Sequence, residues 1–482
     1  MTTSSGAPRV AIVGGGFAGL CVALQLERAA VEPLEIDVFE ATQELGAGPA
    51  YAWRNPVHLL NGEAAHLGLY DEEPDGFVDW LRRSSAAAPF LRDDLAIGNQ
   101  FVPRYLFSDY ARDGLARAMS RRSQASIRVH LGTPVLDVFL AGGAATLVLE
   151  SGEHRAARVV LATGNPAPRP LFATVPEVTR VENPWRPDWV RFIPAGAVVI
   201  AGTGQSMLDA AVALHAVRHP GPIHAVSRRG VVPPAHVYGV PPRAVAAAPE
   251  LGELSALVRF VRRELEAAGA DGSGWRSALN ALRPLAGAVW PQLSARDQRR
   301  FYRHLAAFWW GYRQRVAPPV GDTITAMRAA GALRVYRGRI AGIERAASGG
   351  AQVVLAGPGA PVRLLAHTLV NCTGPDFDPQ RSENPVLRRL LARGIARAHP
   401  SGSGLVLTPD LALIDRDGRT VHPVHALGAP ARGAWLESLA IRDIRRQSRV
   451  IACAILEALA SGPPRARAQR LQPPDPRLSP SS

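Results

Sequence analysis

The chain has 482 residues, 47% of them hydrophobic, enough to build two or three domains around sizeable cores. Its formal charge of +14 comes from 55 basic residues, all of them arginine, and their scatter along the chain argues against a nucleic-acid groove. The complete lack of lysine excludes Schiff-base chemistry and a phosphate-loop lysine, and no uncharged run approaches the ~20 residues that span a bilayer.

The N-terminus shows no basic segment followed by an apolar run and a small-residue cleavage site, so the expectation is a soluble, cytoplasmic protein with no membrane or nucleic-acid partner. The first apolar stretch is Val10-Ala11-Ile12-Val13, which runs straight into Gly14-Gly15-Gly16-Phe17-Ala18-Gly19 and a helical pattern through Leu26. This is a strand, a Gly-x-Gly-x-x-Gly turn and a helix. Gly14 makes the tight turn, Gly16 lets the backbone approach a pyrophosphate, and Gly19 lets helix and strand pack closely. The phosphates then sit on the helix N-terminus, where unpaired N–H groups and the helix dipole favour negative charge. A second strand pattern, Glu35 to Glu40, ends in an acid where a ribose hydroxyl needs an acceptor.

A loop through Gly46-Ala47-Gly48-Pro49-Ala50-Tyr51 leads to Asn55-Pro56-Val57-His58-Leu59-Leu60-Asn61. An amphipathic helix carrying Phe77, Trp80 and Leu81 follows, then Val102-Pro103-Arg104 and a helix through Leu115. Three β segments (Ile127 to His130, Pro134 to Leu140, Ala145 to Glu150) precede the apolar strand Val159-Val160-Leu161-Ala162, which stops at Thr163-Gly164.

The pattern then starts again. Ala197 to Ala201 is a strand, Gly202-Thr203-Gly204-Gln205-Ser206 opens a helix through Leu214, and Ile223 to Val226 ends in Ser227-Arg228-Arg229. Leu333 to Tyr336, Val353 to Leu355 and Leu369 to Cys372 complete the copy, closing again on Thr373-Gly374. Two nucleotide modules in one chain need two nucleotides, and a flavin paired with a nicotinamide accounts for that best. Met207 stands where the third glycine would fall, and Arg228 or Arg229 stands where Glu40 stands in the first module. An arginine there accommodates a 2′-phosphate and favours NADPH over NADH, though neither is excluded.

Residues 244–330 interrupt the second module with a helical insertion rich in arginine beside aromatics: Trp275-Arg276, Arg283, Trp290, Phe301-Tyr302-Arg303-His304 and Phe308 to Arg315. These rings are either the core of a cap or, with the arginines, the lining of a pocket for a flat or anionic substrate. Val424 to Gly428 is a last strand and turn, followed by a long helix from about Leu436 to Leu459 with Leu439, Ile451 and Ile455 on its apolar face. Residues 462–482 are rich in Pro, Arg and Ser and read as disordered. Cys21, Cys372 and Cys453 form no C-x-x-C pair, and the histidines show no ligand spacing, so neither a dithiol centre nor a metal is expected. No general base stands out: His58, His236 and His304 qualify only by residue type.

Together these segments resemble the two-dinucleotide-domain flavoproteins, and more narrowly the bacterial FAD/NAD(P)-binding family that includes FAD-dependent urate hydroxylase and aspartate N-monooxygenase. The most specific pieces are His58 to Asn61, Val102-Pro103-Arg104, Gly202 to Asp209, Ser227 to Gly230 and Arg313-Gln314-Arg315, and Asn371 to Pro375 and Gly428 to Arg446 also fit. The implied fold is α/β: two Rossmann-like dinucleotide-binding domains in the glutathione-reductase-like flavoprotein arrangement, with a helical insertion in the second. The expected division is 8–195 for the first part of the FAD domain, 196–375 for the NAD(P)H domain, and 376–461 for the return to the FAD domain.

The resemblance implies that NAD(P)H reduces FAD and that the reduced flavin takes up O2 as a hydroperoxide, which hydroxylates a small polar substrate. It places Asn61 and Arg104 beside the flavin as catalytic residues. The cofactor-binding set is Gly14, Gly16, Gly19, Glu40, Thr163, Gly164, Gly202, Gly204, Ser206, Ser227, Arg228, Arg229, Gly374 and Gly428. One departure is that Gly428 is followed by Ala429-Pro430 and not by the Asp that holds the ribityl chain in many such flavoproteins. Urate is the first substrate expected, with chain length slightly in its favour. The alternatives are an amino acid hydroxylated on nitrogen, a flavin reductase without oxygen transfer, or a non-catalytic nucleotide-sensing protein. Oligomeric state stays open.

Overall fold

The computed structural model describes residues 6–172, 178–245, 252–272 and 274–461. The tail expected at 462–482 lies outside them. The first half runs β1 (Arg9–Val13), the helix Phe17–Ala29, β2 (Leu34–Phe39), the helix Arg104–Ser120 and β3 (Ala125–His130). A meander of β4 (Val135–Ala141), β5 (Ala144–Leu149) and β6 (Gly152–Ala156) leads to β7 (Arg158–Leu161). The second half opens on β8 (Thr179–Val181), then repeats the plan with β9 (Val198–Ala201), the helix Gln205–Ala216, β10 (Ile223–Ser227) and β11 (Leu333–Arg337). Its meander is β12 (Arg339–Arg345), β13 (Ala351–Ala356) and β14 (Val362–Ala366), followed by β15 (Thr368–Asn371). β16 (Ala412–Ile414) and β17 (Thr420–Ala426) return to the first sheet, and the helix Ile441–Ala460 closes the described chain.

Two main sheets result, in the orders β16-β17-β7-β1-β2-β3 and β11-β10-β9-β15-β8. All pairs are parallel except β16 with β17. A strand with both edges paired and both faces covered must be apolar throughout, which explains the unbroken runs in β1 and β9. The two halves agree down to single hydrogen bonds. Gly14 N–H donates to the Phe39 carbonyl at 2.8 Å and Ala162 N–H to Val13 at 2.9 Å. In the second half Gly202 N–H donates to Val226 at 2.7 Å and Cys372 N–H to Ala201 at 2.8 Å.

The insertion is helical over Leu254–Ala270, Gly274–Leu282, Leu285–Val289, Ala295–His304 and Ala306–Arg313. The next helix, Pro318–Ala329, packs against Gln205–Ala216 and β11, and so serves as the crossover of the second sheet. Trp290 is 2% exposed in a cluster with Leu254, Leu293, Phe301 and Leu436. Its indole N–H donates to the Gly433 carbonyl at 2.8 Å, pinning the insertion to the segment that precedes the last helix. That helix begins at Ile441 and not near Leu436. Leu436 to Ala440 precede it as irregular backbone, and Leu439, expected on its apolar face, lines a cleft.

Candidate active site

The first glycine turn is built for close approach. A Cβ on Gly14 would stand 2.2 Å from the Ala162 carbonyl oxygen, and one on Gly19 would stand 1.9 Å from the Gly14 oxygen. At Gly16 the nearest atom to such a Cβ is the Gly48 Cα, 3.6 Å away, an ordinary packing contact. The helix Phe17–Ala29 has no side-chain cap and no acid in its first turn, leaving its N–H groups open to phosphate. Glu40 accepts the Gly15 N–H at 2.8 Å through Oε2, and the Thr42 N–H and hydroxyl, each at 2.9 Å, through Oε1. It therefore braces the turn, with carboxylate lone pairs to spare for a ribose hydroxyl. These features fit a dinucleotide.

The second turn repeats the design. A Cβ on Gly202 would meet the Cys372 carbonyl at 2.1 Å, whereas one on Gly204 would meet nothing within 4 Å. The helix Gln205–Ala216 is likewise uncapped. Met207, in place of the third glycine, is fully buried. Ser227 faces inward: its hydroxyl pairs with Thr203 Oγ1 at 2.8 Å and accepts the Gly230 N–H at 2.9 Å. Arg228 and Arg229 are exposed, the latter with its guanidinium 5.6 Å from the Phe308 ring centre.

Between the modules lies a cleft of about 1870 Å³. Gly202, Gly204, Ser206, Ser227, Arg228, Arg229 and Gly374 line it from the second module, and Pro49 to Tyr51, Asn61 and Arg104 from the first. Gly14, Gly16, Gly19, Glu40 and Gly428 are not in its wall; Gly16 packs against Gly48, which precedes the wall residue Pro49. Thr163 and Gly164 face a smaller cavity of about 340 Å³ with Asp376, Ala429 and Pro430. Gly428 has a φ of +73°, and its N–H donates to the fully buried Gln447 side chain at 2.8 Å. Gln447 in turn donates to the Ser438 carbonyl, so this side chain shapes the turn where many flavoproteins carry Asp.

Arg104 is almost sealed from solvent. Its guanidinium grips both carboxylate oxygens of Asp209 at 2.8 and 2.9 Å, donates to the Leu59 carbonyl at 2.8 Å and reaches the Asn61 side chain at 3.5 Å. Asp209 lies on the helix of the second turn, so Arg104 ties the two modules together. Asn61 is exposed in the cleft, and its carbonyl accepts from His236 Nε2 at 2.9 Å.

The insertion contributes a basic wall. Arg315 bonds to the Asn280 side chain, and Arg313 pairs with Glu437. The Arg283 side chain makes no hydrogen bond or ion pair among the described residues; burial first, then the neighbouring Arg313 and Arg442, pushes its pKa down to about 9. Arg432 is buried among Phe377, Trp310 and Tyr302, with ring centres at 4.2, 4.8 and 5.7 Å, and burial lowers its pKa. Charged groups desolvated beside like charges are held at a cost that an anion would relieve. Of the insertion's aromatic and basic residues, Trp290 and Phe301 are core, whereas Arg283, Arg315 and Trp310 line the cleft. Cys21 and Cys372 are buried, and burial raises both thiols, Cys21 to about 11. Neither is poised as a thiolate. No group of metal-ligating side chains occurs among the described residues, and no described helix is long and apolar enough to cross a membrane.

No curated protein matches the chain in sequence. Residues 11–166 match the family described as FAD-NAD(P)-binding. The fold is similar to that of the Kutzneria sp. 744 ornithine N-hydroxylase, at 17% identity and a TM-score of 0.62, over 94% of this chain and 99% of that one. It is also similar to the desferrioxamine-pathway cadaverine monooxygenase of Erwinia amylovora, at 13% identity and a TM-score of 0.62, over 94% and 95% of the two chains. The bacillithiol disulfide reductase of Bacillus cereus aligns at 15% identity with a TM-score of 0.54, over 94% and 99%. The architecture is that of FAD/NAD(P)-binding flavoproteins, with the first nucleotide module carrying the family's sequence signature.

Proposed function

We propose that this protein is an FAD-dependent, NAD(P)H-using monooxygenase that hydroxylates the amino nitrogen of a small carboxylate-bearing molecule. The balanced reaction converts amine, O2, NADPH and a proton into hydroxylamine, water and NADP+. The observation that carries the reading is the shared cleft, with an uncapped nucleotide turn at Gly204 on one side and Arg283 and Arg315, short of counter-charge, near Asn61. FAD held at Gly14 to Gly19 would supply the electrons and the atom at which O2 is activated. The protein's own part is to bind and orient. The Gly202 to Ser206 turn takes the nicotinamide dinucleotide's pyrophosphate, and Arg228 and Arg229 suit a 2′-phosphate, favouring NADPH. Arg283 and Arg315 take the substrate carboxylate, and Trp310, Tyr302 and Leu436 keep water from the reacting nitrogen.

The structural neighbours include an ornithine N-hydroxylase and a cadaverine monooxygenase, and this supports nitrogen as the atom oxidised over the ring hydroxylation expected of a urate enzyme. The basic wall argues against a doubly cationic diamine such as cadaverine, whose second ammonium would face arginine. Urate is the second reading, because Arg432 among three aromatic rings suits a planar anion. The test is NADPH oxidation by the FAD-loaded protein in air with aspartate, ornithine, cadaverine and urate, measuring hydroxylamine against peroxide. Hydroxylamine from the acidic amino acid supports the proposal. Peroxide alone from every substrate points to a reductase and overturns it.

A further inference from the structure

We propose that His236 is the proton acceptor that converts the bound substrate's ammonium into a free amine, and that an anion seated on the arginines beside it assists that step. This rests on the N-hydroxylation reading. An amine donates its lone pair to an oxidant only after losing its proton, and a small amine at neutral pH arrives protonated. The bond that breaks is therefore substrate N–H; the proton moves to the imidazole, and the electron pair stays on nitrogen.

The geometry equips His236 for that step. It lies in the cleft wall on the loop after β10, with its ring centre 5.1 Å from that of Phe101. A backbone carbonyl only accepts, so the 2.9 Å contact with Asn61 fixes the proton on Nε2. Nδ1 then carries the lone pair, and it makes no hydrogen bond among the described residues. His236 thus spans the modules, reading the position of the Asn61 loop with one nitrogen and offering the other to a ligand.

Its surroundings supply the gate. Arg276, Arg283 and Arg315 face it from the insertion, and Glu63, near Arg315, and Tyr238 lie on the flanking loops. Burial is the main cause that brings the imidazole's pKa down to about 4; the Asn61 hydrogen bond works against it, and Arg315, Arg283 and Arg276 add to the lowering. In the free cleft it is neutral but a weak base. A carboxylate on Arg283 and Arg315 cancels part of that field, so basicity rises as the substrate seats. The same anion that anchors the substrate would thereby prepare the acceptor, and an empty site would not draw a proton inward.

The experiment uses the full-length, FAD-loaded protein with 15N-labelled histidine, and His236→Gln to identify the His236 signals. Glutamine keeps an N–H donor toward Asn61 and removes the base. The expected spectrum shows an Nε2–H tautomer titrating well below an ordinary histidine, with a midpoint that rises by about one unit or more on adding succinate as probe. Arg283→Gln should raise the midpoint without succinate. An Nδ1–H tautomer, or a midpoint unmoved by both succinate and Arg283→Gln, overturns the proposal. In turnover with the acidic amino acid, His236→Gln should lose about 10²-fold in hydroxylamine formation at neutral pH and recover as pH rises toward the amine's own pKa. Equal product from wild type and variant across pH also overturns it. Absence of hydroxylamine from wild type would instead remove the N-hydroxylase reading, and the spectra would still decide whether anion binding controls His236.

Discussion

Arg104 and Asp209 form a two-pronged ion pair between the nucleotide modules, with side chains only 8% and 13% exposed. His58 joins them, its Nε2 3.2 Å from the Asp209 carbonyl and its own carbonyl accepting the Arg104 N–H at 2.9 Å. Removing one partner leaves a buried charge unpaired, so Arg104→Ala should destabilise the protein by about 3–5 kcal/mol. An apolar pair, Arg104→Met with Asp209→Leu, should regain most of that stability in denaturant melts. Flavin reduction by NADPH, followed by rapid mixing, should stay slow in the double variant if the pair also sets the distance between nucleotides.

The two glycines of the second turn separate folding from binding. Gly202 has a φ of +111° and faces the Cys372 carbonyl, so Gly202→Ala should lower Tm markedly. Gly204 has an ordinary φ of −84° and open space around it. Gly204→Ala should leave stability within about 0.5 kcal/mol of wild type yet raise the KM for NADPH.

Arg283→Gln should raise the KM for an acidic amino acid at least tenfold, as expected for loss of a charge-assisted hydrogen bond worth ~1.5–3 kcal/mol. The KM for NADPH should not change. Arg228→Ala should do the opposite, moving the NADPH-to-NADH preference with little effect on the amine. Steady-state kinetics with each substrate varied in turn checks both.

Asp37 gives a stability test in acid. Its side chain is 1% exposed on β2; burial would raise its pKa, but His154, 3.3 Å away, and hydrogen-bonding contacts with Arg128 and His130 outweigh that and hold it well below the usual carboxylate range. A carboxyl depressed in the folded state contributes stability that is complete above its unfolded pKa, near 3.8, and fades as pH falls below that value. Urea midpoints should therefore drop between about pH 4 and pH 2. Asp37→Asn should be less stable at neutral pH and show a flatter acid limb.

The parts of this molecule legible in its sequence are those with a local period. The two glycine turns, the strand ending each module and the order of elements follow from spacing, because pyrophosphate approach and buried parallel strands constrain neighbouring residues. What stayed hidden joins residues far apart. Arg104 with Asp209, His236 with Asn61 and Gln447 with Gly428 are polar contacts made across domains or across a turn, and no periodicity announces them. Residue type alone drew attention to His236 without showing what it faces. The last helix starts at Ile441 although Leu436 and Leu439 continue its apolar pattern, because Leu436 belongs to the insertion's core and Leu439 to the cleft. Chain length and aromatic content, which favour urate in the sequence, carry no information about which atom is oxidised.

The indole of Trp290 and its bond to Gly433 have a practical corollary. The arginine wall is encoded in the second module but braced by a stretch belonging to the first, more than a hundred residues downstream. Excising 196–375 for expression, or transplanting it into a related scaffold, would move the basic groups without the floor that aims them. Any redesign of substrate preference must therefore treat the insertion and the 429–441 stretch as one transferable unit.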